Sequence, residues 1–336
     1  MPIFGADVGI GICFQSSFDT VATIASSAQY IPLVSETFND QQPFLTSESI
    51  RNRVDRGDAF SGPKEVTGEV EAEVFPLAIG FLMKTAFEET ATVNSASLNT
   101  HTFKPRTSSA MEFSPQIPVS VHKEWGSGAN DLSNFYNLNA TGMEFSCAVG
   151  EFLKVKVPFI GGRNDGAVLG SAPSYNLTNK SPFTWDQCSF SIDGNAVGSI
   201  KSFSVAIAEG LEAGHTLNSS DDSWPTRINR AGFRTGTINA AMSFDNTSEY
   251  IAFRSDAGNG SPTTRPTVIT FTQGTEAQSG YPHALKMDIP GVIWESFEDP
   301  VQGVGEVEVS LSGKIQYTVA SATLIDITLV DTAGAY

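Results

Sequence analysis

The sequence predicts a mainly β protein, and three observations predict it. Short apolar runs are separated by Ser, Thr, Asn and Gly, the texture of strands and turns. Phe (23 residues) far outnumbers Tyr (7) and Trp (4). Period-two alternation recurs, most plainly in residues 68–74 (GEVEAEV). There Glu69, Glu71 and Glu73 share one strand face, and Val70, Ala72 and Val74 share the other. With 336 residues, 40% hydrophobic and 17% charged, the chain suits one large domain or two medium ones around a packed core.

The elements follow in order. Pro76 fits the first turn of a helix, where its missing N–H costs nothing. Residues 77–87 then make about three turns, apolar almost all round, so this helix should be buried on more than one side. Glu88 and Glu89 follow it where the helix dipole disfavours acids, and they predict fraying. Further strands are predicted at residues 118–122, 143–149, 151–157, 183–192, 200–208, 267–271, 284–289 and 304–317, with a break after Trp185. Gly150 predicts a hairpin or bulge, and Asp193-Gly194-Asn195 is turn chemistry. The total is roughly ten to fourteen strands and at most two or three helices.

One unit recurs. Residues 66–87 (VTGEVEAEVFPLAIGFLMKTAF) and 234–253 (RTGTINAAMSFDNTSEYIAF) share Thr-Gly, then an alternating strand, then a segment ending in Ala-Phe. Thr67 and Thr235 lie 168 residues apart (235 less 67), half of 336. Val70 matches Ile238 and Ala72 matches Ala240, after which the copies diverge. Residues 161–180 are rich in Gly, Ser and Asn, a linker at the midpoint of a duplicated chain. The expected division is residues 1–165, a linker at 166–182, and residues 183–336. Residues 305–311 (GEVEVSL) echo the glutamate alternation, which an ordinary exposed sheet face would also produce. Residues 39–63, with Arg51, Arg53 and Arg56, and residues 255–265 are long loops, polar and poorly periodic.

Composition limits function. Twenty basic against 37 acidic residues give a net charge of −17, ill suited to gripping nucleic acid through phosphates. Cys13, Cys147 and Cys188 lack metal or redox spacing and predict buried free thiols in a reducing compartment. The apolar start has no basic leader region and is interrupted by Asp7, so no signal peptide is expected. No run approaches the ~18 apolar residues of a membrane span. Folding in the cytosol is expected, leaving the Asn-x-Ser/Thr sites unglycosylated.

No catalytic, cofactor or metal signature emerges. His101, His122, His215 and His283 are scattered and predict ordinary surface or core positions. GADVGIG at residues 5–11 lacks phosphate-loop spacing, and Gly126-Ser127-Gly128 is too short for a nucleophile elbow. Asp221-Asp222 lacks calcium-loop spacing, and three glutamates on one face lack the opposed asymmetry of glycosidase acids.

Several patterns resemble the tail tube (major tail) proteins of long-tailed bacteriophages. These are Ser47-Glu48-Ser49-Ile50 before the arginine cluster, Val66-Thr67-Gly68-Glu69-Val70 before the apolar helix, and Thr100-His101-Thr102-Phe103. Residues 198–205, Arg234-Thr235-Gly236, Ile289-Pro290 and Gly305-Glu306-Val307 continue the likeness, while residues 219–224 and 258–266 have no place in it. The resemblance implies two β-sandwich or half-barrel units, each with a flanking helix, forming a tube with an inner β-barrel. It implies no enzyme and no cofactor. The implied role is a virion protein, assembled in the host cytoplasm, whose stacked rings conduct DNA without specific binding. Its partners would be itself, a tape-measure protein and a tail terminator. Three two-unit chains would close a ring of six; a ring of six chains with an outer decoration is the alternative. Glu69, Glu71, Glu73, Glu306 and Glu308 are the candidate lumen-facing residues. The rival reading is a β-sandwich receptor- or carbohydrate-binding module, whose groove would draw on Trp125, Trp185, Trp224 and Trp294.

Overall fold

The computed structural model describes residues 8–18, 29–49, 55, 58–93, 99–106, 117–125, 132–164, 181–217, 223–244, 263–278, 281–298, 307–333 and 336. Most of these residues are in strands, as expected, and one α-helix lies among them. The expected linker from residue 165 to 180, the segment after the strand of the second repeat from residue 245, and Arg51, Arg53 and Arg56 lie outside the described residues.

A front sheet runs through the chain. It starts at β3 (Ser35–Glu36) and β4 (Asn39–Gln41), which pair with β7 (Glu65–Glu73). Then come β13 (Lys154–Asn164), β12 (Gly142–Ala148), β16 (Ile200–Ala208), β19 (Thr235–Ser243) and β22 (Glu308–Ile315). The C-terminal half of β21 (Tyr281–Glu298) ends it, and every pairing is antiparallel.

The back layer has two parts. In one, β2 (Gln29–Tyr30), β1 (Val8–Phe14), β10 (Val119–Trp125) and β11 (Leu132–Ala140) lead to the C-terminal half of β13. In the other, β15 (Asn195–Ala196), β14 (Cys188–Ile192) and β20 (Arg265–Gln278) lead to the N-terminal half of β21. That part continues through β23 (Asp326–Asp331), β9 (Asn99–Pro105) and β8 (Phe87–Val93). Long strands cross between layers. β11 and β12 form one run broken at Thr141, whose N–H donates to Pro158 O at 2.8 Å. β21 crosses near Pro290, where its partner changes from β23 to β22. One apolar core fills the space between layers, drawing Val70, Val157, Ile238 and Leu311 from the front and Ile12, Val121, Ile269 and Leu285 from the back.

Two pairing patterns in this fold match. β3/β4–β7–β13–β12 has the connectivity and spatial order of β16–β19–β22–β21. Behind them, β2–β1–β10–β11 corresponds to β15–β14–β20–β21. The first set joins the second where β12 pairs with β16, from Gly142↔Ala208 to Ala148↔Ser202. The glutamate pattern of residues 305–311 lies partly on β22, which corresponds to β13 and not to β7, so it repeats a surface pattern rather than a position.

The shared Thr-Gly has a packing cause. A Cβ on Gly68 would meet the Phe38 ring at 2.3 Å, and a Cβ on Gly236 would meet Ile315 Cβ at 2.7 Å and Ile207 Cδ1 at 3.0 Å. Phe38 and Phe159 flank Gly68, with ring centroids 5.7 Å apart, as Ile207 and Ile315 flank Gly236. Each glycine lets large side chains from both neighbouring strands meet over it.

The predicted helix is α1 (Pro76–Ala86), with Pro76 in its first turn and eight of its eleven residues buried. The fraying expected at Glu88 and Glu89 does not occur: the chain passes directly into β8. Burial gives Glu89 partners that offset the unfavourable dipole. It accepts from Lys84 Nζ at 3.1 Å, His101 Nδ1 at 2.9 Å and the Tyr336 N–H at 3.1 Å. His101 is wholly buried, and its Nε2 lies 3.2 Å from Asp331 Oδ1, near enough for a charge pair though off the N–H direction. Burial pulls the His101 pKa down, but contact with Asp331 and then Glu89 outweighs it, so the net shift is upward from 6.5. Sequence also predicts a strand over residues 183–192; the structure has a 3-10 turn at Trp185–Gln187, held by a Thr184–Gln187 capping box, and the strand starts at Cys188. Gly150 and the Asp193-Gly194 turn take positive φ (85°, 52° and 78°), as their turn assignments require.

Two predictions follow from this packing. Gly68→Val and Gly236→Val should each lower unfolding free energy by about 1–3 kcal/mol, because neither site has room for a branched side chain; denaturant melts of both variants measure it. For His101, a raised folded pKa means its stabilisation is fully present below pH 6.5 and is lost as pH rises through the folded value. The melting temperature of the wild-type chain should therefore fall over that window, and His101→Gln should remove that component of the slope.

Candidate assembly surfaces

The face of the front sheet turned away from the core is open and polar. On β7 it carries Glu69, Glu71 and Glu73, as the alternation requires, while Val70, Ala72 and Val74 are fully buried. β12 and β13 add Glu144, Lys154 and Lys156. Lys156 Nζ stands 3.8 Å from carboxylate oxygens of both Glu69 and Glu71. Glu308 is exposed on β22 and takes Lys201 at 2.6 Å; Glu295 on β21 takes Lys314 at 2.5 Å. Glu306 lies outside the described residues. With Glu65 at the start of β7, on the same side of the alternation, seven glutamates among the described residues share this face with four lysines. Its middle, over β19 and over β16 from Ser202 onward, is uncharged: Ser202, Ser204, Asn239, Ser310 and Ser312 line a shallow groove. The sequence pattern located the glutamate rows; it gave no sign of the lysines opposite them, which come from strands distant in the chain.

The front sheet has two unpaired edges among the described residues. One is the outer side of β3 and β4, whose only strand partner is β7. The other is residues 293–298 of β21, which pair on one side with β22. An unpaired edge offers a row of N–H and C=O groups to another strand. Among the described residues the sheet does not close into a barrel.

The two ends of the sheet are apolar. At one end a hairpin, β5 (Phe44–Thr46) with β6 (Ala59–Ser61), stands between β4 and β7. A second hairpin, β17 (Leu211–Gly214) with β18 (Arg227–Arg230), stands between β16 and β19 at the same end. Phe44, Leu45 and Phe60 are 67%, 58% and 61% exposed on the first, and Leu217 and Phe233 are exposed near the second. The opposite end, at the β12–β13 turn, exposes Val34, Val149, Phe152 and Trp185. No exposed large hydrophobic among the described residues lies on the open face between. Residues 39–63, read from sequence as a polar loop, therefore carry an apolar hairpin; its strands are three residues long, too short to register as alternation.

Both hairpins are anchored at the base. Gly62 N–H donates to Pro43 O and Lys64 N–H to Ser223 O, each at 2.8 Å, and Lys64 Nζ lies 5.3 Å over the Trp224 ring. Buried Glu209 holds Arg230 at 2.9 Å and Arg234 at 2.7 Å, and Arg234 Nη2 also donates to Arg106 O at 3.0 Å. Sequence gave no signal for this cluster, because its members are ordinary charged residues until the fold gathers them.

A groove of about 560 Å³ opens at the turn end, where the two layers part. Cys147, Trp185, Cys188, Val197, Ile200 and Phe203 line it. Burial pushes the Cys147 thiol up to about 11 and the Cys188 thiol up to about 12, so both are unreactive at neutral pH. Trp185 is at this groove, Trp224 is at the hairpin base and Trp294 packs on the core. These three do not converge on one platform. His101, His122 and His283 are buried in strands, the ordinary role expected of them.

The family model described as phage tail tube protein matches residues 5–320 of the 336. Among curated proteins no sequence matches this chain.

Proposed function

The chain belongs to the phage tail tube protein family, and from that membership we propose that three copies close into a ring of six similar units and that rings stack into the DNA conduit. Residues 1–165 and 183–336 would be the two units, with residues 166–182 between them. The observation that carries this reading is the joint between β12 and β16. It is an edge-to-edge strand pairing inside one chain, and it leaves the corresponding edges free at both ends of the sheet.

The same joint gives a register for the contact between chains. Aligning the two strand sets through Gly68 and Gly236 puts Trp294 in the place of Met143 and Phe38 in the place of Ile207. Met143 pairs with Ile207 across the internal joint. Trp294 of one copy then faces Phe38 of the next, and the sheet continues from chain to chain without an exposed edge. Heterologous contacts of this kind make rings when the rotation closes.

In such a ring the open face, with Glu69, Glu71, Glu73, Glu308 and the undescribed Glu306, lines the channel. Its glutamates outnumber its lysines, and four lysines are held in ion pairs. A wall with free cations would bind phosphates and slow DNA; a wall with excess carboxylate does not. Tape-measure and terminator proteins would meet this wall and the ring ends. The protein acts as a structural component of the tail and not as an enzyme.

Two measurements test the reading. Native mass spectrometry of released rings, or the symmetry of a tube reconstruction, should give three chains per ring; six would overturn the two-unit account. Changing Glu69, Glu71 and Glu73 to Lys should permit ring assembly but slow DNA ejection, and normal ejection would remove the lumenal assignment.

A further inference from the structure

We infer that the back layer carries a structural site for one divalent transition-metal ion, held by His122 and Glu124 of β10 and Asn134 of β11. On β10, Val119 and Val121 enter the core, so Ser120, His122 and Glu124 share the opposite face. Asn134 belongs to that face too: it stands directly across from His122, and its neighbour Phe135 enters the core. Ser120, His122 and Asn134 are wholly buried, and Glu124 is 6% exposed. Yet Ser120 Oγ, both ring nitrogens of His122, Glu124 Oε2 and both amide atoms of Asn134 have no hydrogen-bond partner among the described residues. His101 is the contrast, a buried histidine met by the carboxylates of Glu89 and Asp331.

Buried polar groups are nearly always satisfied, so this gathering of unpartnered atoms calls for an occupant. Water is the ordinary one, but water does not neutralise a carboxylate. Lys123, beside Glu124 in the chain, lies on the other face and is taken by Glu36. Burial pushes the Glu124 carboxyl up and the His122 imidazole down, with no opposing charge among the described residues. A divalent ion answers both: the carboxylate stays ionised against it, and neutral imidazole is the form that ligates metal. The spacing suits one ion. Residues opposite each other across a strand pair have Cβ atoms about 5 Å apart, and residues two apart on a strand rise from points about 7 Å apart. β1 puts no side chain between them, because Gly11 stands opposite His122 and Gly9 opposite Glu124. Among the described residues no three His, Cys, Asp or Glu side chains gather around one point. Asn134 Oδ1 is therefore the third ligand, and water completes the shell, with Ser120 Oγ and Asn134 Nδ2 left to hydrogen-bond it. One nitrogen among oxygens favours Zn²⁺ or Mn²⁺ over Mg²⁺ and Ca²⁺, which prefer oxygen alone. The ion would tie β10 to β11 and stabilise the folded chain that binds it.

The test uses the full-length chain, stripped with EDTA and titrated calorimetrically with Zn²⁺ and separately with Mn²⁺. Excess Mg²⁺ is present throughout to occupy surface carboxylates. One ion per chain should bind, and the melting temperature should rise with it. Removing even an outer partner of a metal ligand costs about 10–100-fold in affinity, so His122→Leu and Glu124→Gln, which remove ligands, should lose at least that much. Glu124→Gln also separates a ligand from a merely structural residue. Without metal it should melt no lower than the stripped wild-type chain, since a neutral amide is buried at less cost than a carboxylate, and Zn²⁺ should not raise it. His215→Gln, at an exposed histidine, should bind as the wild-type chain does. A stripped wild-type chain that takes up neither ion overturns the site and leaves the pocket to water. Binding that survives both His122→Leu and Glu124→Gln overturns it as well, by placing the ion elsewhere.

Discussion

Everything in this molecule depends on how backbone edges are paired. A strand edge is a row of donors and acceptors that must find protein or water. The β12–β16 pairing satisfies two such rows at once and fuses two strand sets into one front sheet. Layers are then coupled because β13 and β21 each belong to both, so neither sheet shifts without the other. The core is one continuous cluster for the same reason. In the front sheet, what remains unpaired among the described residues is confined to the two lateral edges, and their exposed large hydrophobics lie at the two ends.

The sequence reveals these features unevenly, and the physics says why. β7 was legible because both rules apply there at full strength: strict alternation and a buried valine row. α1 was legible from Pro76 and an unbroken apolar run. The Thr-Gly repeat was visible, but its cause was not, since the side chains that crowd Gly68 and Gly236 come from strands tens of residues away. Strand extents were less legible. β21 runs to 18 residues because it changes partners midway, and no local pattern marks a strand that serves two layers; β20 runs to 14 because it stays paired with β21 up to the turn that joins them. The short hairpins were missed for the opposite reason, being shorter than a pattern.

The charged residues divide into two classes. Those on the open face are paired loosely: Lys156 sits 3.8 Å from two glutamates at partly exposed positions, where such pairs contribute at most about 1 kcal/mol. They shape the potential of a surface more than they hold the fold. The buried clusters do the reverse. Glu209 with Arg230 and Arg234 fixes the second hairpin to its sheet, and Glu89 with His101 and Asp331 ties the helix end to β9 and β23. Removing the shared acid Glu209 would leave both Arg230 and Arg234 without their carboxylate, a loss on the order of 3–5 kcal/mol. Sequence shows the first class as a row and hides the second, because burial is what makes its members special.

The corresponding strand sets share almost no sequence beyond Thr-Gly and the residues around it, and the packing explains how little identity the pattern needs. Phe38, Gly68 and Phe159 in one set are replaced by Ile207, Gly236 and Ile315 in the other. The aromatic pair becomes an aliphatic pair, while the glycine between them is kept. Volume at the flanks adjusts by rotamer and residue choice; the absence of a Cβ at the centre has no substitute. Open faces are under still less constraint from folding, and there the sets differ most: glutamates and lysines over β7 and β13, serines and threonine over β16 and β19. A ring built from three such chains would alternate charged and neutral strips around its channel. Its wall would then have threefold and not sixfold electrostatic symmetry, even where the backbone repeats six times.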